Sequence, residues 1–410
     1  MQSAPKTVAG QMEIIRENTV EILPEGELEK KLEMSIKTGK PLIIKQGFDP
    51  TAPDIHLGHT VGLRKLKQFC DLGHQVVVIV GDYTAQVGDP SGRSATRPQL
   101  TKEQVEENAR TYLEQFFKVL PQDKVQVRHN GEWFANMPFT EILRLCGKMT
   151  LARMLEREDF TKRWKAEAPI SIHELLYPLM QAYDSVAIKA DVELGATEQK
   201  FNLLTGRQIQ EAYGVEPQIA LTLPVLEGTD GVQRMSKSIG NYVGISEPPK
   251  EVFGKIMSIP DRLIVPYFRL VSDVASTRID EIEKAIASGT NPMEFKKELG
   301  RTIVRMYYDA SAAEQAQQEF EQIFAKGGLP EEIPEVAFSW NEETVWLPKM
   351  MAEIGATGGT GEAVRLIKQG GVSLDGEKVS DHTAKIDVSR EYLLKVGKRG
   401  FYKVKGKVKK

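Results

Sequence analysis

Over residues 1–247, short runs of apolar and β-branched positions alternate with stretches in which apolar residues recur every three or four places. That alternation predicts parallel strands joined by crossover helices. PLIIKQGF (Pro41–Phe48) reads as a strand, and DPTAPD turns the chain into LGHTVGLRKLKQFCDLG, a helix with Gly73 as its C-terminal stop. QVVVIVG (Gln75–Gly81) is apolar without alternation, as in a strand buried on both faces. A loop containing GDPSGR follows. TKEQVEENARTYLEQFFKVL then opens with Thr101 and Gln104 at capping-box spacing. VQVRH (Val125–His129) and IALTLPVL (Ile219–Leu226) supply later strands, with helices between them.

From Pro248 the pattern becomes helical only: PPKEVFGKIMS, STRIDEIEKAIASG and one long helix near Pro292–Ala325. KGGLPEEIPEV breaks the periodicity and reads as a linker. The last stretch predicts a helix near Val345–Ile354, a second at Gly361–Gln369, and short strands joined by GG and DG turns. The expected organisation is α/β with a doubly wound parallel sheet at 1–247, an all-α module at 248–326, a linker at 327–342 and a small α+β unit at 343–410.

Composition adds limits rather than a function. With 41% hydrophobic and 27% charged residues, the chain has the make-up of an ordinary globular protein. No apolar run reaches the ~18 residues that would cross a bilayer, and the N-terminus lacks a basic-then-apolar secretory layout. Cys70 and Cys146, far apart, make neither a disulfide framework nor a Cys-rich zinc site. A cytoplasmic enzyme without membrane attachment is the expectation. The net charge of −3 hides an asymmetry: residues 343–410 carry 14 Lys/Arg against 8 Asp/Glu, ending in KVGKRGFYKVKGKVKK. A frayed, solvated tail and a surface for an anionic partner are both open readings.

Two short stretches carry chemistry. In PDIHLGHT, His56 and His59 stand at i, i+3 around Gly58. A metal pair needs a third ligand, and no cysteine is near. Packing in a core is the plain alternative. The position argues for a third reading: after a strand and at a helix start, free backbone N–H groups and the positive dipole end favour anions, on the edge of a doubly wound sheet where ligands bind. Imidazole N–H groups there donate to phosphate whether or not the ring is charged. In RMSKS (Arg234–Ser238), two cations and two hydroxyls lie between TDG and IGN. Alone it is an ordinary surface loop; with the histidine pair it suits closure over a polyphosphate.

HLGH with RMSKS resembles the paired signature of the class I aminoacyl-tRNA synthetases. GFDPTAPDIHLGH, VGDYTAQVGDPSGR, YPLMQAYDS and the terminal GEAVRLIKQGGVSLDGEKV, in that order along nearly the whole chain, are similar to the bacterial tyrosyl-tRNA synthetase family. The last of them resembles the S4-type RNA-binding fold. The resemblance implies a Rossmann-like catalytic domain, then a helical anticodon-binding domain and an S4-like domain. It implies activation of L-tyrosine by ATP, accompanied by Mg2+ and no tightly held cofactor, and then transfer to the terminal ribose of tRNA(Tyr). Members of the family form homodimers, here through the insertion around 130–165. MTLARMLEREDF (Met149–Phe160) in that insertion has helical apolar spacing, and core packing is its plain alternative.

Residue by residue, the same similarity assigns phosphate chemistry to Thr51, His56, His59, Arg234 and Lys237. ATP would further touch Asp49, Gly58, Glu198, Val225, Leu226, Met235, Ser236 and Ser238. Glu198 stands where an aspartate near the ribose is usual. Tyrosine would meet Asp89, Tyr177, Gln181, Asp184 and Gln199, with Asp184 accepting the phenol hydroxyl. RNA contacts fall to Arg365, Lys368, Lys398 and Arg399, and no residue is expected to hold a resident metal. Taken without the family, Tyr177, Gln181 and Asp184 form a polar stripe at i, i+4, i+7, a pattern usually turned to solvent, while the flanking Leu175, Leu176, Leu179 and Met180 leave open that it borders a buried cavity. One departure stands out: many tyrosyl enzymes carry Tyr-Cys just before GFDPT, and here the residues are Lys45-Gln46. Three alternatives remain: a tryptophanyl-type relative, another nucleotidyltransferase with an HxGH pair, and a non-catalytic RNA-binding descendant. The S4-like end and the AYD stripe disfavour the first, the RNA-directed modules the second, and the retained His56, His59 and Lys237 the third.

Overall fold

Six strands form one sheet: Glu21–Leu23 (β1), Ile43–Phe48 (β2), Gln75–Val80 (β3), Val125–His129 (β4), Val192–Ala196 (β5) and Ile219–Leu223 (β6). Their spatial order is β1-β6-β5-β2-β3-β4. The five neighbours from β6 to β4 pair in parallel, and β1 closes one edge antiparallel to β6. The computed structural model describes residues 5–50, 54–89, 101–324, 333–397 and 400–408.

Strand β3 is buried from Val76 to Val80, as its unbroken apolar run requires. The crossover from β2 to β3 is the helix Leu57–Asp71, closed by Gly73 at φ +90°, a conformation glycine adopts without a Cβ clash. Thr101 and Gln104 do form a reciprocal capping box on the helix Lys102–Phe116. After β4 the chain passes through short helices, Gly131–Phe134, Phe139–Cys146, Leu151–Met154 and Glu158–Lys165, and then the long helix Ile172–Ile188. It re-enters the sheet at β5, on the other side of β2. The order therefore reverses beside β2, and the carboxyl ends of β2 and β5 border the crevice where doubly wound sheets bind ligands.

Beyond residue 248 lie Pro249–Met257, Ile264–Val271, Ser276–Ala287, Pro292–Tyr307 and Ala310–Phe324. The single long helix expected near Pro292–Ala325 is thus two. Tyr308 leaves helical geometry at φ −127°, ψ −113°, and the Asp309 carboxylate accepts the Ala312 N–H at 2.8 Å, starting a new helix. The first four of these helices belong with the sheet to one compact unit, residues 1–317, whose boundary falls within the fifth. Asn18 donates to the Arg269 carbonyl at 2.8 Å, and Arg64 of the histidine-bearing helix donates to the Ser272 carbonyl.

The second unit spans residues 318–410. It has Glu335–Trp340 (β7), Thr344–Trp346 (β8), Val372–Leu374 (β9), Glu377–Lys378 (β10), Lys385–Asp387 (β11), Glu391–Val396 (β12) and Gly400–Val408 (β13), with helices Leu347–Glu353 and Thr360–Lys368. Five strands run β10-β9-β12-β13-β7, and β11 pairs with β8. Val345, Leu347, Met350, Ile367, Leu394 and Val404 fill its own core. The period-two alternation of β13 buries Val404 and leaves Lys403, Lys405 and Lys407 exposed.

Candidate active site

His56 caps the helix Leu57–Asp71 in extended geometry, φ −119° and ψ 168°. Its N–H donates to His59 Nδ1 at 3.2 Å, so a neutral His59 keeps its proton on Nε2. The rings stack with centroids 3.8 Å apart. Burial lowers the pKa of His56 to about 2, helped by His59, Lys237 and Arg234; burial and then Lys237 lower that of His59 to about 4. Both imidazoles are neutral at physiological pH. Among the described residues, His56 Nδ1 is buried without a hydrogen-bond partner. A Cβ on Gly58 would stand 3.0 Å from the His56 ring and 3.5 Å from Met235 Cβ, so the glycine lets the ring and the loop close up. No cluster of three metal-ligating side chains exists among the described residues.

The RMSKS segment reaches the histidines through backbone pairing. Met235 N–H donates to the Leu226 carbonyl at 2.8 Å, and Gly228 N–H to Gln233 O at 2.8 Å. Further on, Leu57 N–H donates to Val243 O and Ile245 N–H to Ile55 O, strapping the chain after the loop to the histidine segment. Asn241, buried, holds the loop's shape: its Oδ1 accepts Ser236 N–H at 2.8 Å, and its Nδ2 donates to Asp230 Oδ2 at 3.0 Å and Arg234 O at 3.1 Å. Arg234 pairs with Glu198, and Lys237 Nζ lies 2.7 Å from Asp54 Oδ2. Ser236 and Ser238 hydroxyls are 3.0 Å apart. Val225 is exposed and Leu226 buried.

The polar stripe of the helix Ile172–Ile188 does not face solvent: Tyr177, Gln181 and Asp184 are all buried. Their partners arrive from other elements. Tyr177 donates to Asp49 Oδ2 at 2.8 Å, while Asp49 Oδ1 accepts from Thr84 at 2.7 Å. Asn130 donates to Thr84 at 3.0 Å, and Trp133 Nε1 donates to Asp184 Oδ1 at 2.9 Å. Burial raises the pKa of Asp184 to about 7, against the pull of Lys45, Trp133 and Asn130. Gln181 is engaged beneath: its amide donates to Glu193 at 3.0 Å and accepts from Asn202 at 3.0 Å. Gln199 donates to Asp89 at 3.2 Å. Asp49, Tyr177 and Asp184 thus share one hydrogen-bonded chain through Thr84 and Asn130.

A family model, "tRNA synthetases class I (W and Y)", matches residues 37–325. The chain belongs to that family. Among its relatives are the tyrosine--tRNA ligases of Moorella thermoacetica, 51% identical over 96% of this chain and 95% of that one, and of Carboxydothermus hydrogenoformans, 53% identical over 96% and 97%. Solved structures with the same fold include a C-terminally truncated mitochondrial tyrosyl-tRNA synthetase of Aspergillus nidulans, with a TM-score of 0.63 at 21% identity, covering 78% of this chain and 95% of that one. Another is a tyrosyl-tRNA synthetase of Archaeoglobus fulgidus complexed with L-tyrosine, at 0.62 and 22%, covering 75% and 99%.

For a class I synthetase of this type, the structure brings His56, His59, Gly58, Arg234, Met235, Ser236, Lys237 and Glu198 to one sheet edge, while Thr51 lies outside the described residues. Arg365 and Lys368 are exposed on the helix Thr360–Lys368 of the second unit, and Lys398 and Arg399 lie outside the described residues. Sequence reading missed Asp54, Thr84, Asn130, Trp133, Glu193 and Asn241. Asp54 and Asn241 were readable as polar residues within the two signature stretches; the others are set only by the tertiary fold.

Proposed function

We infer that the protein activates L-tyrosine with ATP, releasing pyrophosphate, and transfers the tyrosyl group to the 3′-terminal ribose of tRNA(Tyr). The observation carrying this reading is the meeting of neutral His56 and His59 with Arg234 and Lys237 at the switch point of the sheet, beside the buried chain from Tyr177 to Asp184. Neutral imidazoles donate to phosphate oxygens without adding positive charge next to two cations. Glu198 and Asp54, which hold those cations, mark positions from which a phosphate chain can take them over. In the same reading Thr51, Ser236 and Ser238 contact phosphates, Gly58, Val225 and Leu226 border the nucleotide, and Asp49 orders Tyr177 next to it.

The amino acid's own carboxylate, with a pKa of roughly 3.5, is the nucleophile and needs no base. It attacks the α-phosphorus in line, and catalysis amounts to positioning plus stabilisation of charge on the departing pyrophosphate. Mg2+ enters with ATP as part of the substrate and neutralises phosphate charge. Asp89, Tyr177 and Gln199 suit the ammonium end of tyrosine, and Asp184 its hydroxyl. Gln181 shapes this pocket from below. The helices at 248–326 are assigned to the anticodon, and the basic second unit, with Arg365, Lys368, Lys398 and Arg399, to the tRNA body. Exposed Phe139, Leu143 and Leu151 suit a homodimer interface, and a cytoplasmic setting fits a chain whose described helices include none long and apolar enough to cross a membrane. The test is ATP–pyrophosphate exchange across all twenty amino acids. Tyrosine alone is expected to support it; exchange with tryptophan, or with none, overturns the reading.

A further inference from the structure

Beneath the candidate tyrosine pocket lies a charged group that no step of the reaction uses. Lys45 on β2 and Glu193 on β5 are cross-strand partners in the parallel ladder. Both side chains have 0% exposure, and Nζ stands 2.8 Å from Glu193 Oε1. The ammonium donates to two more acceptors, the Gln181 carbonyl at 2.7 Å and Ser185 Oγ at 2.8 Å. All three of its N–H bonds are therefore spent within the protein, and Lys45 has none left to offer a substrate. Glu193 is equally saturated: it accepts from Gln181 at 3.0 Å, Ser185 at 3.3 Å and Gln218 besides Lys45. A buried pair so fully satisfied is weak evidence for stability, since an apolar pair of the same shape often does as well. Its geometry points to another use. The two acceptors that Lys45 takes from the helix, at 181 and 185, bracket Asp184 within one turn.

We propose that Lys45 is a positioning residue for tyrosine recognition: it clamps the helical turn 181–185 against β2 and β5, and so fixes where, and in which charge state, Asp184 meets the substrate hydroxyl. The groups facing Asp184 are Lys45 from β2, Glu193 from β5, and Asn130 and Trp133 from the segment after β4. Lys45 is the only cation among them, and it is the strongest of the influences opposing the burial of the Asp184 carboxylate. Without Lys45, the uncompensated Glu193 would raise the Asp184 pKa further, leaving more of it protonated at neutral pH. A protonated Asp184 is a poorer acceptor for the phenol hydroxyl. Discrimination against phenylalanine rests on a site group left unpaired when the hydroxyl is missing, a rule for which tyrosyl enzymes are themselves the usual illustration. Mispositioning or neutralising Asp184 weakens that discrimination.

The proposal rests on the tyrosine-activating reading, and the experiment separates the two. Wild-type protein is first assayed for tyrosine-dependent exchange, and its absence defeats that reading irrespective of Lys45. In Lys45→Met, KM for tyrosine is expected to rise about tenfold or more and the tyrosine-over-phenylalanine ratio of kcat/KM to fall about tenfold or more, with KM for ATP unchanged. The acid limb of kcat/KM for tyrosine should move to higher pH. A folded variant with unaltered tyrosine KM and discrimination overturns the proposal, as does one in which tyrosine and ATP parameters deteriorate alike. Should Lys45→Met not fold, Lys45→Arg decides. It keeps the charge but replaces a three-way donor by a planar fork, so tyrosine KM should rise while the acid limb stays in place. An unchanged KM, or a limb that shifts with the charge retained, refutes the clamp.

Discussion

Replacing Lys237 by alanine should damage the chemical step and little else. In the free protein its ion pair with Asp54 joins side chains 21% and 52% exposed, and an exposed pair of this kind contributes about 0–1 kcal/mol. The melting temperature should therefore hardly move. In the transition state the same ammonium faces charge gathering on the departing pyrophosphate. A unit charge at ~4 Å with an effective dielectric constant of ~20 contributes about 4 kcal/mol. At 1.36 kcal/mol per tenfold, its loss should slow adenylate formation by roughly 10³. Tyrosine binding is a separate matter, because Lys237 is held by Asp54 beside the histidine pair, while Asp184 is held by Asn130 and Trp133. Single-turnover adenylate formation, measured over a range of tyrosine concentrations at fixed ATP, gives both quantities. A rise in KM for tyrosine as large as the fall in kcat would refute the reasoning, and so would a kcat loss below about tenfold.

Asp54→Asn removes the carboxylate that competes with phosphate for Lys237, so KM for ATP should fall modestly in exchange assays; a rise would mean that Asp54 itself orders the substrate. Deleting residues 325–410, which removes all of β7–β13 and keeps the helix Ala310–Phe324 whole, should leave exchange nearly intact while tRNA charging drops by at least about tenfold, in line with the loss of a basic surface whose contribution weakens with salt. Parallel loss of exchange would show the two units to be interdependent. Phe139→Asp with Leu143→Asp should shift the protein to a monomer in light scattering; an unchanged mass places any interface elsewhere. Stability should fall as the pH drops from about 6.5 to about 4. Burial lowers the folded-state pKa of His56 to about 2 and of His59 and His74 to about 4, so in that window the unfolded chain binds protons that the folded one refuses. Each histidine contributes up to about 1.4 kcal/mol per pH unit, and Asp184, which takes up its proton in the folded state below about 7, offsets one of the three. Denaturant titrations that show flat or rising stability toward pH 4.5 would contradict this.

What could be read in the sequence depended on whether local pattern and tertiary setting agreed. QVVVIV is a strand by any local measure and lies inside the sheet. VELGA, equally central as β5, escaped notice because it holds a glutamate, a glycine and an alanine, none of which favours strands. Its glutamate is tolerated there only because β2 places Lys45 in register with it, a pairing between residues 148 positions apart in sequence. The stripe Tyr177, Gln181, Asp184 stayed undecided between solvent and a buried cavity for the same reason. Helical periodicity shows that three polar groups share a face, but not that Asp49, Glu193 and Trp133 arrive from elsewhere to satisfy them. The break between Tyr307 and Ala310 was legible in principle, since Asp309 is a good N-cap residue, yet the apolar period runs on across it. The histidine pair and RMSKS were legible because each sits at an element boundary where the local chain already constrains its role.

The two ends of the site divide their electrostatics unequally. At the phosphate end, Arg234 and Lys237 supply positive charge; burial first, then Lys237 and, for His56, also His59 and Arg234, keep the two histidines neutral. The histidines can then donate hydrogen bonds without the like-charge cost of four cations in one clamp. Neither histidine changes protonation between pH 5 and 8, so their hydrogen bonding to phosphate is insensitive to pH over that range. At the other end, Asp184 is a carboxylate whose burial brings its pKa to about 7, where a modest change in the nearby cation alters its charge. Since the nucleophile is an ionised carboxylate supplied by the substrate, no general base is needed to make the bond. It follows that the pH dependence of this enzyme should appear in how it recognises its amino acid, in the tyrosine KM and the rejection of phenylalanine, rather than in the rate at which a bound pair of substrates reacts.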